Sequence, residues 1–271
     1  MKAGTGRRER LGTRTGRDNF RRGIPLYLFA DYHTHSQYSH GRGDLEGNIR
    51  AALARGLEEV AITDHGPALA FHLGVRRAEQ LLEIKAKIRR LQAKYPKLRI
   101  LCGVEANVIN SKGDLDVPRE ILDQLDIVLA GLHPNIFPRT LENFRLLALY
   151  WGGKLNRQLD RSSRLFNTRA LINTVTKYRI DIVTHPGLKL SVDTRELARA
   201  CVACDTALEI NSSHGYLTAG FVRAAAAEGV KFAINSDAHH PRAVGALGPG
   251  LAIARQVGLT AADIINARER P

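Results

Sequence analysis

The chain has no run of about 20 uninterrupted apolar residues, the length a bilayer-crossing helix needs, and its amino terminus has no apolar core of the kind that marks a secretory signal. A cytoplasmic protein is the expectation. Cysteine is scarce as well: three residues, an odd number, supply no disulfide framework for 271 positions. Cys201-Val-Ala-Cys204 has redox spacing, but it falls inside an expected helix among Ala and Leu, where small residues pack a helix on a sheet. Cys102 lies in an expected strand and fills core. Acidic residues are outnumbered, 27 against 40 Lys and Arg, for a formal charge of +13. Residues 1–24 hold eight of the bases against Glu9 and Asp18, a balance of +6, and almost no large apolar side chains. Such an arm is expected to be disordered. It reads either as a solvated tail or as a contact for nucleic acid or another polyanion. The remaining +7 favours anionic substrates without naming one.

Histidine and carboxylate are present in a pattern. Seven of the ten histidines, with Glu105 and Asp237, follow short apolar segments: Asp31-Tyr-His33-Thr-His35 with His40 behind, Thr63-Asp64-His65-Gly66, Gly103-Val-Glu105, Gly131-Leu-His133, Thr184-His185-Pro186 and Asn235-Ser-Asp237-Ala-His239. Imidazole and carboxylate are the ligand set of zinc, iron and manganese. One such histidine alone would be read as a hydrogen-bonded structural residue; their joint placement points to a polynuclear metal site. His72 has no strand before it and is read as structural, and His240 is expected to point away from His239.

The segments before these residues read as strands buried on both faces: Leu26–Ala30, Val60–Ile62, Ile100–Val104, Ile127–Ala130, Ile180–Val183 and Phe232–Ile234. A seventh, Ala207–Ile210, ends in Asn211-Ser-Ser213-His214 and carries no obvious ligand. Helical periodicity fills the intervals: Leu45–Arg55, Arg76–Lys94, Arg169–Lys177, Thr194–Ala203, Leu217–Ala227 and Pro241–Val257. Alternating strands and helices argue for a parallel sheet, and right-handed crossovers curl it into a barrel with its active site at the carboxyl ends of the strands. An open doubly wound sheet, whose ligands gather at one crevice, fits the distributed residues less well. The length suits one such barrel over residues 25–271.

Taken together, His33-Thr-His35 with Ser39-His40-Gly41, Ile62-Thr-Asp64-His65-Gly66, Gly103-Val-Glu105, His133, Thr184-His185-Pro186 and Ser236-Asp237-Ala-His239 resemble the four motifs of the PHP (polymerase and histidinol phosphatase) family. The resemblance spans about residues 27–268 and is closest to the stand-alone phosphoesterases, through Gly103-Val-Glu105-Ala-Asn-Val and Gly113-Asp-Leu-Asp-Val-Pro118. It implies a distorted (βα)7 TIM-like barrel with three divalent metal ions, zinc first, with manganese or iron as alternatives. It implies one ion on His33, His35, Glu105 and Asp237, a second on Glu105, His133 and His185, and a third on His40, His65 and His239. Many relatives carry Asp where this chain has His40.

Cations flanking a water lower its pKa and neutralise phosphoryl oxygens, so the expected reaction is hydrolysis of a phosphate ester without a covalent nucleophile. The catalytic residues are then the ligands themselves, Glu105 and Asp237 among them, with Asp64 expected to orient a histidine ring. Candidate substrate contacts are Arg42, Lys112, Lys189, Asn211 and Ser213, all in loops after strands. Residues 135–167 mix Phe137, Phe144 and Trp151 with Arg139, Arg145 and Arg157, which reads as a lid over the metals or as an extra helix anchored on the barrel. A small phosphorylated substrate such as histidinol phosphate is the leading expectation; a nuclease or nucleotide phosphatase is the alternative, and no membrane contact is expected.

Overall fold

Continuous apolar runs cannot leave either face in water, and six of the seven expected runs form strands of one sheet covered on both sides, the seventh, Leu26–Ala30, doing so only in part. The computed structural model describes residues 26–136, Ala148 and 157–269. The basic arm and most of the 135–167 insertion, Trp151 included, lie outside the described residues. The strands are β1 (Leu26–Leu28), β2 (Ala30–Asp31), β3 (Glu59–Ile62), β4 (Arg99–Asn107), β5 (Ile127–Gly131), β6 (Ile182–Val183), β7 (Ala207–Asn211), β8 (Phe232–Asn235) and β9 (Ala267–Glu269). Strands β2 to β8 form one seven-stranded parallel sheet in sequence order. The described helices are α1 (Leu45–Ala54), α2 (Gln80–Lys94), α3 (Arg119–Leu122), α4 (Arg157–Lys177), α5 (Thr194–Ala203), α6 (Ala219–Ala226) and α7 (Gly248–Val257). Asp44 and Asp193 cap α1 and α5 by accepting from Gly47 N and Glu196 N, which satisfies amide groups a helix start leaves unpaired.

The sheet curls into the expected barrel, nearly closed. Its interior is a small apolar cluster to which every one of the seven strands contributes: Ala30, Ala61, Leu101, Leu129, Ile182, Ala207 and Ala233 among them. The larger cluster lies between the outer face of the sheet and the helices. Because side chains alternate along a strand, the residues two and four beyond an interior residue also face inward. Leu101 is thus followed by Gly103 and Glu105, and Ala207 by Glu209 and Asn211. Polar chemistry begins where the interior apolar plug ends.

Strands β2 and β8, the two ends of the sheet, do not share a ladder. Their seam is held by side chains instead. Asn266 Nδ2 donates to Ala30 O at 2.8 Å and to Ile234 O at 2.7 Å while its Oδ1 accepts from Ile234 N. Tyr32 N donates to Asn235 Oδ1, Ser236 N and Oγ both donate to Asp31, and a single backbone bridge joins Thr34 to Ala238.

Three sequence expectations are revised. The run Leu26–Ala30 is not one strand: Phe29 leaves the ladder, its N donating to Asn266 O, and Leu26–Leu28 pairs antiparallel with β9 outside the barrel. The helix expected at Arg169–Lys177 starts at Arg157, so the last part of the insertion is helical and packs Phe166 against the core. The expected helix from Pro241 to Val257 is interrupted, a short turn at Pro241–Ala243 preceding α7. Among the described residues, no helix is long and apolar enough to cross a membrane.

Candidate metal centre

Glu105 stands at the centre of the barrel mouth, fully buried, with imidazoles on both of its oxygens. Oε2 lies 2.9 Å from His65 Nδ1 and 3.2 Å from His33 Nε2; Oε1 lies 3.1 Å from His185 Nε2 and 3.3 Å from His133 Nε2. Close as these contacts are, Glu105 Oε2, His65 Nδ1 and His133 Nε2 take part in no hydrogen bond of acceptable geometry. His35 Nδ1 and His239 Nε2 are buried and unpartnered as well. Buried polar atoms left without partners cost about 1–3 kcal/mol each in an otherwise satisfied interior. Three of these atoms, on Glu105, His65 and His133, belong to residues whose ligand atoms lie within 4.8 Å of one another, an arrangement that a cation would satisfy.

Hydrogen bonds away from the mouth fix which nitrogen each ring turns inward. His40 Nδ1 is 3.0 Å from Leu73 O and His239 Nδ1 is 2.9 Å from Asp237 O. A carbonyl only accepts, so each Nδ1 carries the proton and each Nε2 keeps its lone pair. His33 Nδ1 is 2.7 Å from Glu209 Oε1, with the same result. Ligand atoms of His35, His65 and His239, of His33, His35 and Glu105, and of His65, Glu105 and His133 lie within 4.8 Å of one another in three overlapping groups. His40 stacks on His65 with ring centroids 5.0 Å apart and meets His239 at 4.3 Å. Asp237 Oδ1 is 3.3 Å from His35 Nε2 and 3.6 Å from His33 Nε2. The donor set, nitrogen and carboxylate oxygen with free lone pairs facing one space, fits divalent zinc, manganese or iron.

Electrostatics follow from burial and crowding. Burial alone would push the Glu105 carboxyl up, but His33, His65 and His133 outweigh it and hold the group well below the usual carboxylate range. Burial opposes the charge on Asp237 too, and His33, His214 and His35 again prevail, keeping it ionised. Burial lowers His65 to about 4, against the pull of Glu105. Two of the residues involved sit in the left-handed backbone region, His185 at φ 27° and Asp237 at φ 53°. Such conformations are retained where surrounding contacts hold them.

A cavity of about 140 Å³ opens above this cluster, bordered by His40, His65, Glu105, His133, His185, Asp237 and His239 and, on its outer side, by Leu188, Lys189 and His214. Of the five expected substrate contacts, Lys189 lines it. Arg42 is exposed and meets the rim only through its backbone N–H, which donates to His239 O. Ser213 is exposed and does not border the cavity. Lys112 borders a different one, with Phe166 and Arg169. Asn211 is buried and holds Asp237 Oδ2 and Glu209 Oε2 through its Nδ2. Asp64, expected to orient an imidazole, instead accepts from Ser36 N, Ser36 Oγ and Ser39 Oγ and so holds the loop between His35 and His40. His72 is exposed, and His240 Nδ1 caps the following turn by accepting from Arg242 N.

Three residues at the mouth escaped the sequence reading. His214, read without a ligand role, brings Nε2 to 3.3 Å from Asp237 Oδ2. Asp116 accepts from Asn107 N, Asn107 Nδ2 and Ala68 N and ties the end of β4 to the loop after His65. Glu209 is fully buried in β7. Its signal was present: a carboxylate inside the apolar run Ala-Leu-Glu-Ile cannot be buried without partners.

A family model described as PHP domain matches residues 31–179, more than half of the chain. A probable phosphatase of Thermoanaerobacter sp. (strain X514) is 31% identical over 253 residues, covering 89% of this chain and 91% of that protein. A probable phosphatase of Shewanella sediminis is 29% identical over 251 residues, 89% and 90% of the two chains. Among solved structures, histidinol phosphate phosphatase of Lactococcus lactis, crystallised with zinc, L-histidinol and phosphate, superposes with a TM-score of 0.60 at 20% identity, covering 86% of this chain and 94% of that one. That likeness establishes the fold.

Proposed function

The chain belongs to the PHP-domain family and is a metal-dependent phosphoesterase, and we propose that it hydrolyses a small phosphomonoester at a three-ion centre, histidinol phosphate being the substrate to test first. The observation that carries this reading is the double-sided environment of Glu105. Its Oε1 faces His133 and His185 and its Oε2 faces His33 and His65, at 2.9–3.3 Å. That arrangement supports a carboxylate shared between two cations. We assign His33, His35, Glu105 and Asp237 to one ion, Glu105, His133 and His185 to the second, and His40, His65 and His239 to the third. Held there, divalent cations supply a lowered pKa for a water molecule and charge neutralisation for phosphoryl oxygens.

The chain's own groups do the rest. Lys189 is the one Lys or Arg among the described residues bordering the cavity, and it is suited to pair with a phosphate oxygen. The opening of about 140 Å³ is lined by the ligand residues themselves and must take the ions as well as the reacting group, which favours a small phosphate ester over a duplex. Zinc in the Lactococcus lactis protein and the imidazole-rich donor set make zinc the first metal to supply. Phosphate release should be measured on p-nitrophenyl phosphate, histidinol phosphate, nucleoside bisphosphates and short oligonucleotides, with elemental analysis of the same preparation. Turnover of small monoesters that stops on chelation, at about three ions per chain, is the expected result. At most one ion in fully loaded enzyme would overturn the three-ion assignment, and cleavage confined to oligonucleotides would overturn the substrate class.

A further inference from the structure

Glu209 sits beneath the metal rim, takes no place in the ligand assignment, and accepts four hydrogen bonds. Oε1 is 2.7 Å from His33 Nδ1 and 3.0 Å from Asn235 Nδ2; Oε2 is 2.9 Å from His185 N and 3.1 Å from Asn211 Nδ2. The donors are not interchangeable with acceptors. Asn235 Oδ1 is occupied by Tyr32 N–H and Asn211 Oδ1 by His214 N–H, so both amides must turn their NH2 groups toward Glu209. His185 contributes a backbone N–H. With three fixed donors around it, only a group that accepts at both oxygens satisfies the pocket, and His33 must then offer a fourth N–H from Nδ1.

We propose that Glu209 is the positioning residue of this centre, one carboxylate that aims two ligands from opposite sides of the barrel, His33 after β2 and His185 after β6. By taking the Nδ1 proton of His33 it leaves that ring's Nε2 lone pair facing Glu105, at 3.2 Å from Oε2. Through Oε2 it anchors the backbone of His185 at its left-handed φ of 27°, the conformation that brings His185 Nε2 to 3.1 Å from Glu105 Oε1. Asn211 carries the connection one step further, to Asp237 Oδ2 at 3.1 Å. A single buried group therefore underlies ligands of both ions that share Glu105. The inference rests on the reading of His33 and His185 as metal ligands.

The test uses Glu209→Gln in the full chain. Glutamine keeps the volume and one acceptor, but its NH2 either faces Asn235 Nδ2 and turns His33 to the tautomer protonated at Nε2, or faces the His185 N–H, which then loses its partner. Removal of groups that orient metal ligands costs about 10–100-fold in metal affinity. Zinc affinity, read by competition with a chromophoric chelator, should fall by about that factor, and kcat at limiting zinc should fall with it. Excess zinc should restore kcat, with KM for the phosphate ester unchanged throughout. His33→Ala is measured beside it. If His33→Ala loses zinc while Glu209→Gln binds zinc within about twofold of the unaltered chain, the positioning role is refuted and the ligand reading stands. If His33→Ala keeps all its zinc, the ligand reading itself fails. Should Glu209→Gln not fold, the zinc-loaded unaltered chain labelled with 15N-histidine decides: a low-field Nδ1–H resonance of His33 supports the assignment, and a ring protonated at Nε2 overturns it.

Discussion

Gly131 offers the sharpest test of how tightly the mouth is packed. A Cβ placed on it would lie 2.4 Å from Thr184 Oγ1, 3.0 Å from His133 Cε1 and 3.2 Å from Glu105 Oε1. Thr184 cannot simply turn aside, because it is buried, β-branched, and donates from Oγ1 to Glu105 Oε1 at 2.7 Å. Gly131→Ala therefore either breaks that bond or pushes β5 away from its neighbours. Overpacking of this kind costs about 1–3 kcal/mol, which for a chain of this size lowers the melting temperature by roughly 2–10 °C. The effect on turnover should be larger in proportion, since misplacement of reacting groups by about 1 Å can cost about 100-fold. Calorimetry and kcat on one small ester measure both. The double variant Gly131→Ala/Thr184→Ala should be less destabilised than the sum of its parts, because the alanine at 184 vacates the clashing position. Wild-type melting and turnover for Gly131→Ala would refute the packing argument, and strict additivity would show that Thr184 is not the obstacle.

Three further outcomes are expected. Glu105→Gln removes a charge facing four imidazoles and should lower kcat by more than about 1,000-fold, since one unit charge at about 4 Å is worth about 4 kcal/mol at an effective dielectric constant of about 20; His72→Ala, at an exposed position, should leave kcat unchanged. The metal-free protein should lose stability on account of His65 as pH falls from 6.5 to about 4, because in that window the unfolded chain binds the proton and the folded one does not; a chemical-denaturation series against pH should show a flatter profile for His65→Gln. Of the three thiols, Cys102 is pushed up to about 12 by burial and Cys201 is also buried and raised, so a thiol reagent should modify Cys204 alone in the native protein and all three after denaturation.

The barrel was legible because strands buried on both faces are continuous apolar runs, and the rim because six of the seven runs are followed by a residue that can bind metal. What the runs could not reveal was where a ladder ends. Leu26–Ala30 is uniformly apolar, yet Phe29 breaks it through a bond to a backbone carbonyl at position 266, a partner no local pattern indicates. The full length of α4 was hidden for a related reason: Arg157–Arg164 is mostly polar and presents little apolar stripe from which to read a helix. Loop residues were the hardest to place. Lys112 and Lys189 look alike in sequence, both basic and both just after a strand, but the turn at Gly113 carries Lys112 to another cavity while Lys189 borders the metal rim. Glu209 was read as part of a strand without a ligand, and it is the inward side of that strand that gives it neighbours.

The seam closed by Asn266 has a temporal consequence. Its two carbonyl partners, Ala30 and Ile234, stand on opposite ends of the sheet, and the bond to Ala30 spans 236 positions. Contacts so distant in sequence form late, since the entropy of closing the intervening loop must be met first. A growing polypeptide exposes His33 and His35 early in translation, yet Asp237 and His239 arrive two hundred positions later, and the amide that shuts the cylinder later still. The nine candidate donors are therefore expected to come together only after residue 239 has been made, with Asn266 joining the two ends of the sheet last.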